Sequence, residues 1–172
     1  MTWTFKPSDL KAVDLKNAKP GDFLCALRSG ATYELWLRLA GNDPRASLMV
    51  NLTGSHAMEV WPVQAQGAVP TLLVASGADI ELEIDDNKGV GPAEGTPGTL
   101  LIADSGAYLV AKIRNQGFTD EGCISLATWE FVAFHDVSNV RASFSTWRLV
   151  DSRESSNRNV LLSFGDWSRA QA

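Results

Sequence analysis

Cysteine and histidine are scarce, each occurring twice in 172 residues. Cys25 and Cys123 make no disulfide framework, and neither a C-x-x-C nor an H-x-x-x-H spacing is present to hold zinc. Each cysteine sits in an apolar run, Phe23-Leu24-Cys25-Ala26-Leu27 and Gly122-Cys123-Ile124-Ser125-Leu126. Both read as buried thiols acting as small hydrophobes. Long apolar runs are also missing: none approaches the roughly 18–20 residues of a membrane-spanning helix. No membrane partner is expected. The N-terminus, Met1-Thr2-Trp3-Thr4-Phe5-Lys6-Pro7, lacks the basic and apolar segments of a secretory signal, which predicts a cytoplasmic protein.

Catalytic signatures are few. No serine sits in a G-x-S-x-G elbow. Gly89-Val90-Gly91 lacks the third glycine of a dinucleotide fingerprint, follows an acidic strand and precedes no helix pattern. No cofactor is expected. His56 or His135 with Cys25 or Cys123 makes a formal nucleophile pair, but spacing alone brings none of them together. Asn51-Leu52-Thr53 fits a glycosylation sequon, which means little without a secretory route.

There is no surplus of positive charge either. The chain carries a net charge of −5, and residues 79–94 alone account for it. One acidic strip on a neutral body argues against general nucleic-acid binding.

What is present is period-2 alternation. Tyr33, Leu35, Leu37 and Leu39 alternate with Glu34, Trp36, Arg38 and Ala40; Ile80, Leu82 and Ile84 alternate with Asp79, Glu81, Glu83 and Asp85. Successive strand side chains point to opposite faces, so both segments predict half-buried strands. Further strands are expected at 23–28, 47–52, 71–75, 100–103, 108–114, 123–128, 130–135, 140–150 and 160–164. A helical turn is plausible only near Pro7–Asn17, capped by Ser8 or Asp9.

A longer pattern overlies these strands. Residues 20–53 and 97–128 share Pro-Gly, an apolar strand, Ser-Gly-Ala, a tyrosine, a second strand, a Gly/Asp loop and a third strand. Residues 72–84 read as a partial third copy around Ser76-Gly77-Ala78. Glycine supplies the positive φ of tight hairpins. The repetition predicts an all-β protein of two small barrel-like or sandwich-like modules related by internal duplication, either separate or merged into one sandwich. The Gly- and Pro-rich stretch 89–98 is the natural linker, dividing residues 1–88 from 99–172. The spacings are unequal, so a regular trefoil or propeller does not follow.

Three features are candidates for function. The first is the acidic strand of Asp79, Glu81, Glu83 and Asp85, followed by Asp86 and Asn87. It reads as the solvated face of an edge strand, a docking surface for a basic partner, or an oxygen-ligand cation site. Carboxylates two apart on a strand are about 6.6 Å from each other, which weakens the last option. The second is six tryptophans, at positions 3, 36, 61, 129, 147 and 167. Trp36 and Arg38 lie opposite Leu35 and Leu37, which predicts that they point outward or into an interface. Trp167 lies near the C-terminus, where burial is harder. The third is an arginine-rich end with Arg141, Arg148, Arg153, Arg158 and Arg169 and no lysine. Arg153 and Arg158 fall in a polar loop at 151–159. Arginine suits bidentate carboxylate pairing, so this end complements the acidic strip within one molecule or between copies.

The pattern PGDF…SGATYELWL…VNLTG resembles small bacteriophage or mobile-element proteins made of short β modules. The resemblance lies in scattered turns and implies a bacterial or virion-associated setting, with no activity and no residue roles. These features together predict a non-enzymatic module that binds a protein partner or itself. A carbohydrate-binding module is the alternative, and a hydrolase the third option.

Overall fold

Residues 19–22 read Lys-Pro-Gly-Asp and residues 96–99 read Thr-Pro-Gly-Thr. In both, the amide of the fourth residue donates to the carbonyl of the first at 3.0 Å. The glycines have φ of +87° (Gly21) and +92° (Gly98). Proline presets the second position and glycine alone takes the third without strain, as a type II turn requires. From each turn the chain enters a set of strands. The computed structural model describes residues 11–28, 32–41, 47–63, 71–85, 95–115, 118–153 and 159–165.

The strands are β1 (Lys11–Val13), β2 (Asp22–Arg28), β3 (Thr32–Leu39), β4 (Leu48–Asn51), β5 (Glu59–Pro62), β6 (Thr71–Ser76) and β7 (Ile80–Ile84). They continue with β8 (Leu100–Ala103), β9 (Gly106–Asn115), β10 (Phe118–Ser125), β11 (Phe131–Ala133), β12 (Val140–Phe144), β13 (Trp147–Asp151) and β14 (Asn159–Phe164). The protein is almost all β. β1–β6 and β8–β12 form one sheet of eleven strands, and β14-β13-β7 form a second of three. The expected N-terminal helix reduces to a 3₁₀ turn at Leu15–Asn17, and Lys11–Val13 is a strand instead. Residues 1–10 lie outside the described residues. No helix among the described residues is long and apolar enough to cross a membrane.

The internal duplication extends beyond the segments that first suggest it. β2–β7 and β8–β13 correspond strand for strand. β2-β3-β4-β5 and β8-β9-β10-β11 are both antiparallel meanders. β6 pairs back on β2 as β12 does on β8, each with a bulge. Irregular hydrogen bonds repeat at matching positions. Gly21 N donates to Arg38 O (2.8 Å) and Gly98 N to Val110 O (2.9 Å). Met58 N donates to Asn51 O (2.6 Å) and Trp129 N to Ser125 O (2.8 Å). Met58 and Trp129 share a left-handed φ of 63° and 62°, which a bulky residue adopts only under constraint.

The copies then interlock. β5 pairs in parallel with β9 through Glu59↔Lys112, and its counterpart Glu130 bridges in parallel to Ala40 beyond β3. β7 and β13 pair antiparallel with Leu82 opposite Leu149 at their centre. Equivalent strands meeting about a shared midpoint define a pseudo-two-fold axis. Because Ala40–Glu130 is a single bridge, the circuit does not close into a barrel. The result is one sandwich-like body in which both sheets take strands from either side of residues 89–98; of those, 89–94 lie outside the described residues.

Two expectations need correction. Ser76-Gly77-Ala78 is not a third hairpin: β6 and β7 lie in different sheets, joined by a 3₁₀ corner at Gly77–Asp79. Residues 72–84 are the end of the first copy, and their counterpart is 140–151. That segment in turn breaks into β12 and β13, because it too crosses between sheets. Of the other two Ser-Gly-Ala motifs, 105–107 closes the β8–β9 hairpin with Ala103 opposite Gly106, and 29–31 lies outside the described residues.

Candidate functional site

Trp36 and Arg38 do not point to solvent. Trp36 is fully buried in a second small core with Leu24, Ala26, Met49 and Val63, closed by Leu15 and Ala18 from the N-terminal segment. Alternation correctly separates the two faces of β3, but chain from outside the repeat covers the second face. Trp36 Nε1 donates to Glu34 Oε2 (3.2 Å), which also accepts from Asn51 Nδ2 (3.2 Å). Asn51 is thereby buried, which removes the sequon from the surface. Arg38 is buried as well. Its Nη1 donates to Leu48 O (2.8 Å) and Leu39 O, and its Nη2 to Ser47 Oγ (2.6 Å). Burial lowers its pKa, and Asp22 opposes that shift.

The acidic strand is the edge strand β7 of the three-stranded sheet. Its register on β13 sets Glu83 opposite Arg148. Arg148 Nε donates to Glu83 Oε2 at 2.5 Å, and Nη2 reaches the same oxygen. Asp79 is tied through its carbonyl, which accepts from Ser152 N (2.8 Å) and Oγ (2.9 Å). Glu81 is exposed, while Glu83 and Asp85 are half-buried. Complementarity between the acidic strip and the arginine-rich end is thus used within one molecule at Glu83–Arg148. Asp86 and Asn87 lie outside the described residues.

Arg153 links the two sheets through one side chain. It donates through Nε to Asp151 Oδ1 (2.9 Å) and through Nη2 to Asp151 Oδ2 (2.5 Å) and Val74 O (3.0 Å). Its hydrogen bonds keep the Asp151 carboxyl below the usual carboxylate range, against the opposing pull of burial. Arg158 and Trp167 lie outside the described residues.

The histidines and thiols do not assemble. His56 Nδ1 lies 3.1 Å from Glu59 Oε2 with its ring edge-on to Trp61, and His135 is exposed beside Asp136. Cys25 and Cys123 are free and buried, and burial raises both thiol pKa values, that of Cys123 to about 11. Reactivity requires an exposed thiolate. A disulfide reagent at pH 8 should therefore leave both cysteines unmodified in the native protein and label both in denaturant; fast native labelling would contradict this packing. No group of three or more His, Cys, Asp or Glu side chains among the described residues is placed to hold a metal ion.

A cavity of about 310 Å³ lies between the sheets. Its lining follows the pseudo-symmetry. Phe23 and Leu100, Leu37 and Leu109, Leu52 and Leu126, Ile80 and Trp147, and Leu82 and Leu149 are equivalent pairs, and all ten line it. Gly77, Ala107, Ala127 and Trp129 complete the wall. The chain matches no family model, no curated protein and no solved structure.

Two indoles shape the cavity, and both are held by glycines. A Cβ on Gly21 would come 2.6 Å from Trp129 Nε1, and one on Gly77 would overlap Cζ2 of the same ring. Phe23 meets Trp129 edge-on at 6.0 Å. On the other side Trp147 Nε1 donates to Gly98 O (2.8 Å), and its ring stacks on Phe164 at 4.9 Å and 7°. The two Pro-Gly turns thus each seat an aromatic. Sequence reasoning missed this site because its residues come from strands distant in the chain. The repeated Pro-Gly was its one visible signal.

Proposed function

We propose that this chain is a non-enzymatic binding module that associates with a protein partner, or with a second copy of itself, through the edge of its three-stranded sheet. One observation carries this. Ile80, Leu82 and Ile84 face the core from β7, yet each is only half-buried, while Trp147 and Leu149 on neighbouring β13 are buried. An edge strand with incompletely covered apolar residues is a template for strand addition. The exposed Glu81 on its other face favours a basic partner. The resemblance to phage and mobile-element modules, together with two free thiols, favours a bacterial cytoplasmic or virion-associated setting. The sugar-stacking alternative has less support: Trp36 and Trp147 are fully buried and Trp61 and Trp129 half-buried.

Native mass spectrometry of the protein recovered under mild conditions is expected to show a stoichiometric heteromer or dimer. Glu81→Lys should weaken that complex about tenfold or more, as like charge at a docking edge does. A monomer at low and high salt alike, with no species lost on substitution, rejects the proposal.

A further inference from the structure

We propose that the cavity on the pseudo-two-fold axis is a binding site for a small uncharged apolar molecule, an aromatic or a short aliphatic group. This does not depend on the edge-strand reading. At about 310 Å³ the cavity falls at the lower end of small-molecule sites, about 300–1,000 Å³. A dry cavity of about 150 Å³ already takes benzene.

Every lining residue is apolar or glycine, and no charged side chain is among them. An ion or a sugar would lose its water there with few replacement hydrogen bonds, since the wall is mostly apolar. The volume is too small for a strand or helix of another chain. Of the lining residues Ala127 is exposed, and Gly77, Ile80, Leu82, Ala107, Leu126 and Trp129 are half-buried, so the cavity is not sealed from solvent.

The two indoles in the wall are each packed against fixed neighbours. Trp129 is held over Gly21 and Gly77, and Trp147 is fixed by Gly98 O and Phe164. The copies also differ here. Ala107 lines the cavity at the position where the first copy carries the buried Leu35. The cross-strand partners differ in the opposite sense, Cys25 facing Leu35 and Ile102 facing Ala107, so the bulk is redistributed and only the position of Ala107 borders the cavity.

The test is titration of the full chain with toluene and with naphthalene, followed by calorimetry and methyl NMR. Saturable one-to-one binding is expected, with shifts concentrated at Leu37, Leu52, Leu82 and Leu109 and a raised melting temperature. Ala107→Leu, which restores the residue of the first copy, should weaken binding about tenfold or more, the scale of one methylene group in an apolar pocket. If Ala107→Leu does not fold, Leu126→Phe at the rim supplies the same test. No saturable binding of either probe overturns the proposal, whether because the chain's own side chains fill the space in solution or because it closes. Binding that neither substitution weakens overturns it too. A chain recovered under mild conditions as a monomer at low and high salt alike, with no partner bound, that still binds naphthalene removes the edge-strand proposal and leaves this one standing.

Discussion

Trp147→Ala is expected to destabilise the protein by about 3–5 kcal/mol, the range for deleting a buried aromatic. Trp147 is 1% exposed and makes three separable contributions. Its ring fills the core where the two sheets meet, stacks on Phe164, and donates to Gly98 O. Alanine would join its space to the existing cavity, leave that carbonyl without its donor, and free Phe164 from its stack. For a chain of this length each kcal/mol lowers the melting temperature by roughly 2–4 °C, so a fall of roughly 10 °C is expected. Urea unfolding of the two proteins measures it. A loss below about 1 kcal/mol would mean that the sheets do not depend on this contact, since that is the size of an average substitution.

Gly98→Ala should be nearly as damaging, for a different reason. At φ +92° an L side chain is strained, which costs about 1–3 kcal/mol. A Cβ there would also overlap Phe164 Cε1 and approach Cδ1 at 2.8 Å. That ring cannot yield freely, because it is stacked on Trp147, which is itself bonded to Gly98 O. Overpacking adds about 1–3 kcal/mol. Gly106→Ala is the control. Its φ of +136° is also strained, but nothing lies within 4 Å of the added carbon. The difference between the two variants in one denaturation series isolates the packing contribution. Equal losses would show that backbone strain alone is responsible. Gly21→Ala, the counterpart in the first copy, should behave like Gly98→Ala, because its Cβ would meet Trp129.

The acidic strand was legible in its alternation, though Asp79 falls in the preceding 3₁₀ corner and Asp85 beyond the strand's end. Ile80, Leu82 and Ile84 alternating with Glu81 and Glu83 fix its faces, and its charges mark it as an edge. Trp36 was misjudged because alternation says only that two faces differ. It does not say that Leu15, Ala18 and Val63 cover the second face. Arg38 followed it inward by the same period, with backbone carbonyls and Ser47 replacing its water. The strand at 59–62 was missed because Glu59-Val60-Trp61-Pro62 is too short to show a period.

The sequence by itself determined the local chemistry: β structure from period-2 patterning, the β8–β9 hairpin turn from Ser-Gly-Ala, two buried thiols from their apolar neighbours, and duplication from repeated strand order. These depend on residues close together in the chain, whose geometry is set by backbone sterics. Only the tertiary structure decided how the copies join. Parallel pairing of β5 with β9 and the crossing of β7 with β13 bring together residues more than fifty positions apart. No local propensity encodes such pairings; they form because two incomplete apolar faces bury each other. The cavity is a product of that joining, since five equivalent pairs line it and the alanine at position 107 borders it.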